Sequence, residues 1–130
     1  MKDDIKIKGE YTINGIKQHN NVGSIVITNL LNNWLYDTGD DNSAVAFVFG
    51  NGTPSDSGLG NQLFSKVITS RTKGNISLQA RIQLNKDECN FDIKEIGIID
   101  SSNRLLSYAI VDISKNDTLI LNITYTLKVE

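Results

Sequence analysis

Residues 76–84 alternate without interruption. Ile76, Leu78, Ala80, Ile82 and Leu84 share one parity, and Ser77, Gln79, Arg81 and Gln83 share the other. A period of two over nine residues predicts a strand with one buried face, which a helix cannot present. The C-terminus repeats it: Leu119, Leu121, Ile123, Tyr125, Leu127 and Val129 alternate with Ile120, Asn122, Thr124, Thr126 and Lys128. Two long half-buried strands need an apolar layer opposite them. The expected fold is mainly β: an antiparallel β-sandwich or flattened barrel with one N-terminal amphipathic helix.

Other segments fit this frame. Residues 44–49 form an almost continuous apolar run bounded by polar turns, which predicts a central strand buried on both faces. Residues 64–70, 91–100 and 105–111 predict further strands, with a hairpin turn at 101–104. In the 91–100 strand, Phe91, Ile93, Glu95, Gly97 and Ile99 share a parity. Glu95 is therefore expected among apolar neighbours, hydrogen-bonded and structural, because a buried carboxylate needs partners. On the next strand Leu106, Tyr108 and Ile110 are expected on one side. The helix falls at Ser24–Tyr36, where Ile27, Leu30, Leu31, Trp34 and Leu35 recur at three- and four-residue intervals, with Gly39 placed to end it.

Residues 1–22 form either an N-terminal arm or an edge hairpin, and 23–130 the β-sandwich domain. Asn14-Gly15 is a strong turn signal. As an arm, Met1–Val22 would reach outside the core and add a strand to a neighbouring copy. The longest irregular stretch, Gly50–Gly60, contains four glycines and lacks the order of a phosphate-binding loop. It is expected to pack across the end of the sandwich through Leu59 and Leu63, with a binding loop as the alternative.

At 130 residues, 39% of them hydrophobic, the chain suits one domain with a substantial core. A net charge of −2 gives no broad attraction to nucleic acid or to an anionic membrane. The sequence carries no bilayer-length apolar stretch and no secretion signal at its start, so synthesis in the cytosol and no membrane insertion are expected.

Candidate chemistry is sparse. His19 and Cys89 are the only residues of their types, which argues against a Cys/His metal centre and leaves a Cys–His nucleophilic pair without a local motif. Asp37, Asp40 and Asp41 lack the spacing of a calcium loop and suit a solvated turn. Asp56, His19 and Glu95 would have to converge to make a hydrolase. No catalytic, metal-binding or cofactor-binding residue is assigned, and no cofactor is expected.

Several fragments, in order, resemble small tailed-bacteriophage virion proteins of the tail-fibre-like or tail-collar-like type. They are Ile27-Thr28-Asn29 with the helix that follows, Val45-Ala46-Phe47-Val48-Phe49-Gly50-Asn51-Gly52, and Thr53 to Asn61. The last is similar to a T-x-P-S-x-x-D-x-x-L-x-N loop, with Ser57-Gly58 in place of its aspartate region. Ile93-Lys94-Glu95-Ile96-Gly97-Ile98-Ile99-Asp100 resembles I-x-E-x-G-L-F-D, and Leu105–Ala109, Asn116–Leu119 and the closing strand follow. The resemblance covers Ile27–Val129. It implies a non-enzymatic structural component of a virion, in a tail, baseplate, collar or head appendage. The expected partners are further copies of itself and other virion proteins. The alternative is a small carbohydrate-binding or host-receptor-binding module. It would take a host surface glycan on aromatics drawn from Tyr11, Trp34, Tyr36, Tyr108 and Tyr125.

Overall fold

The computed structural model describes residues 7–18, 21–22, 44–55, 57–73, 77–100, 102–103 and 105–129. The expected helix at Ser24–Tyr36 lies outside the described residues. Within them are ten strands: β1 (Ile7–Ile13), β2 (Ile16–Lys17), β3 (Asn21–Val22), β4 (Ala44–Gly50), β5 (Gln62–Val67), β6 (Ser70–Lys73), β7 (Ser77–Leu84), β8 (Asp92–Asp100), β9 (Leu105–Ser114) and β10 (Leu121–Val129). They form two antiparallel five-stranded sheets. The first has the order β2-β1-β10-β7-β6 and the second β3-β9-β8-β4-β5.

The two alternating segments lie side by side in the first sheet. β10 pairs with β7, matching Ile123 with Ile82 and Tyr125 with Ala80, and these four side chains are buried. Phe47 and Phe49 of β4, Ile96 and Ile98 of β8, and Ala109 and Val111 of β9 meet them from the second sheet. Tyr11 and Tyr125 are cross-strand partners with ring centroids 4.7 Å apart, and Tyr11 meets Phe47 edge-on at 6.5 Å. The Tyr11 hydroxyl has no hydrogen-bond partner. Burial, reinforced by Tyr125, holds its pKa well above the usual tyrosine value, against a smaller opposing effect of neighbouring Ser107.

Residues 7–17 take the hairpin alternative. Asn14 (φ 50°) and Gly15 (φ 83°) turn β1 into β2, as the Asn-Gly pair predicts. The Asn14 side chain accepts a hydrogen bond from the Asn122 N–H at 2.7 Å. The arm reading of this stretch is corrected: β1 pairs with β10 over its whole length and buries Tyr11 and Ile13 in the core.

Three further expectations are revised. Residues 64–70 are not one strand. The Ile68 N–H bonds to the Val45 carbonyl of the second sheet and the Thr69 N–H to the Arg81 carbonyl of the first, so the chain changes sheets there. In β8 the register shifts between Ile93 and Glu95. Ile93 joins Ile96 and Ile98 in the core, while Glu95 faces away from it. In β9 a second shift separates Leu106, which enters the main core, from Tyr108, which joins Val48 and Leu105 on the outer face. A bulge adds one residue and reverses every later parity.

Candidate functional site

The outer face of the second sheet carries the site, which is built on Glu95. Its side chain is fully buried. Oε2 accepts hydrogen bonds from the Gly52 N–H at 2.8 Å and the Asn61 N–H at 2.8 Å, and Oε1 accepts from the Gly60 N–H at 2.6 Å. One carboxylate thus gathers both ends of the loop between β4 and β5. The Asn51 N–H to Asn61 carbonyl bond (3.2 Å) and the Asn61 side-chain amide to Asn51 Oδ1 bond (2.7 Å) close the neck above it.

Glycine makes this approach possible. A methyl group at Gly50 would lie 2.2 Å from the Asn61 carbonyl oxygen and 2.4 Å from Glu95 Oε2, and one at Gly60 would lie 2.4 Å from the Thr53 nitrogen. These backbones touch where any side chain would stand. Leu59 folds the loop onto Val48, Leu105 and Tyr108. Leu63, expected to pack with it, is instead exposed.

Beside the neck is an open cavity of about 300 Å³ lined by Asn51, Gly52, Thr53, Lys94, Ile110 and Val111. At its rim Lys94 Nζ donates to Asp112 Oδ1 at 2.5 Å, and this hydrogen bond raises the Lys94 pKa. Both partners are solvent-exposed, so the pair is screened and contributes little. Tyr11, Tyr108 and Tyr125 are buried and offer no stacking surface, while Trp34 and Tyr36 lie outside the described residues.

The structure does not bring the hydrolase candidates together within what it describes. His19, Asp56, Asp37, Asp40 and Asp41 lie outside the described residues. Glu95 spends both oxygens on backbone N–H groups of the 51–61 loop. Among the described residues no group of three or more His, Cys, Asp or Glu is placed to hold a metal. Burial pushes the Cys89 thiol up to about 12, so it is protonated and inert at neutral pH.

Sequence reasoning also passed over the buried charge of Lys115, which directly follows β9. Its Nζ donates to the Asn85 carbonyl (2.9 Å), Asn90 Oδ1 (2.8 Å) and the Asn116 carbonyl (3.0 Å), with a longer bond to the Lys86 carbonyl (3.4 Å). The only available signal was the polar run after β9, which reads as ordinary turn.

No family model matches the chain, and no curated protein and no solved structure matches it.

Proposed function

We propose that this chain is a non-enzymatic structural component of a tailed-bacteriophage virion, working in a tail, baseplate, collar or head appendage through many shared protein–protein contacts. One observation carries the reading. Two adjoining fragments that resemble the virion proteins, Val45–Gly52 and Thr53–Asn61, meet a third from much later in the chain, Ile93–Asp100, at one carboxylate. Glu95 from the third fragment holds Gly52 of the first and Gly60 and Asn61 of the second. A co-occurrence of short motifs is weak support by itself. Their convergence on one anchored loop gives a physical reason for them to occur together. An anchored loop on a rigid sandwich suits a building block, because it presents a fixed surface without an ordering cost on assembly.

Electron cryo-microscopy of particles released by cells that make this chain tests the proposal. Copies resolved in the tail, baseplate, collar or head appendage are the expected result. Absence from every particle, checked by mass spectrometry of the same preparation, overturns it.

A further inference from the structure

Terminal strands are where sheets recruit neighbours, and folds that stay monomeric shorten, charge or cover them. The four terminal strands here differ. β2 and β3 have two residues each. β6 has four, including Arg71 and Lys73. β5 has six, and among the described residues no strand lies beyond it in its sheet.

β5 also lacks an outward charge. Leu63, Ser65 and Val67 are exposed, with Leu63 at 48% and Val67 at 69% of full accessibility. Lys66 would ordinarily guard such an edge. Its Nζ is instead held by its own chain, donating to the Gln83 carbonyl at 2.6 Å and Glu88 Oε1 at 2.6 Å. That tether also draws the Glu88 pKa down.

We propose that β5 is a self-association edge whose partner is β5 of a second copy, paired antiparallel about a two-fold axis at Ser65. In that register Leu63 faces the partner's Val67, and Val67 the partner's Leu63. Each exposed apolar side chain then gains an apolar cross-strand neighbour on the same face. The Lys66 ammonium groups are already compensated by Glu88, so no uncompensated like charges meet. A two-fold contact of this kind is self-complementary. A six-residue strand buries less than the roughly 1,200 Å² typical of stable stand-alone interfaces, so the pair is weak alone and gains strength when copies are held together. The inference sharpens the assembly reading above. It is tested on purified protein, so the two can fail separately.

The test is Ser65→Cys. The axis places the two Ser65 residues opposite each other at about 4.5–5.5 Å between Cα atoms, within the span a disulfide bridges. The native thiol, Cys89, is buried and gives little background. Mild oxidation of Ser65→Cys should give a disulfide-linked dimer. Adding Val67→Lys should cut its yield about tenfold or more. Sedimentation of the unaltered chain should show a mass rising with concentration. Both positions are exposed, so the variants should melt like the parent; Leu63→Lys replaces Val67→Lys if that variant does not. A parent chain that stays monomeric at every concentration overturns the proposal. So does self-association without the Ser65→Cys cross-link, which would place the contact on another face.

Discussion

Glu95 and Lys115 solve one problem with opposite charges. Each is a buried ionic side chain whose partners are supplied mostly by the backbone of a turn. Glu95 accepts three N–H bonds and gathers the neck of the 51–61 loop. Lys115 donates to three carbonyls and a side-chain amide oxygen and gathers the 85–90 turn. Turns leave backbone groups unpaired, and burying those groups unpaired is costly. A charged side chain satisfies several at once through charge-assisted bonds. The surroundings differ. The N–H donors at Glu95 are enclosed by glycine contacts too tight for a methyl group, whereas the Lys115 turn has exposed residues at 85–87 and 116–120. The Glu95 site should therefore have little room to adapt when its ion is lost, and the Lys115 site more.

The largest expected effect follows at Glu95. Glu95→Ala strands three donors and should cost about 3 kcal/mol or more, since each buried unpaired group costs roughly 1–3 kcal/mol. Glu95→Gln is the sharper test. Its amide oxygen can serve Gly60, but its NH₂ then faces the Gly52 and Asn61 donors. It should recover less than half of the loss in a urea midpoint. A Gln variant as stable as the parent would show that shape, and not charge, holds the neck. Gly50→Ala should rank next, at about 2 kcal/mol, because the added methyl meets a backbone carbonyl that cannot swing away. Lys115→Met keeps the length of the stem and removes the donors. It should cost about 1–2 kcal/mol by thermal unfolding, because the freed carbonyls can turn to water. A Lys115 loss larger than the Glu95 loss would break the comparison.

The difference between the two sites also governed what could be read in advance. Glu95 stood out because a carboxylate inside an apolar strand demands partners. Lys115 did not, because a lysine in a polar run looks solvated and its partners come from 25 to 30 residues earlier. The facing of β7 and β10 was legible because one buried face makes a clean period of two. Residues 46–50 of β4 are buried, as the unbroken apolar run implies for a central strand. The parity of β8 and β9 failed where bulges at Ile93/Glu95 and Ile98/Ile99 reset it. Much of β8 and β9 is buried on both faces, so apolar residues stand at either parity and the reset does not show in the sequence. The role of β1 was hidden because its partner is β10, more than a hundred residues away. The sheet change at Ile68–Thr69 joins two strands with no turn residue to signal it.

Cys89 offers the smallest and most local test. It lies in the turn that Lys115 gathers, with φ 60°, and it is buried. Burial is the largest cause of its raised pKa, and the nearby Lys115 charge opposes it. The folded state therefore holds the thiol proton to about pH 12, while an unfolded cysteine releases it near 8.5. The unfolded state binds fewer protons between those values, so this contribution is fully present below the unfolded pKa and falls as pH rises through the window. Tyr11, also raised, adds in the same direction at higher pH. A melting temperature that stays flat from pH 8 to 11 would contradict both. Thiol labelling separates the two sites further. Removing the Lys115 charge alone would raise the thiol pKa, but opening the turn removes the larger burial effect, so exposure wins. At pH 8, Lys115→Met should label faster than the parent by about tenfold, whereas Glu95→Gln, acting at the neck of the 51–61 loop, should change the rate only in proportion to its global loss of stability. Equal acceleration in the two variants, after correction for stability, would mean that the turn and the loop neck open together as one unit.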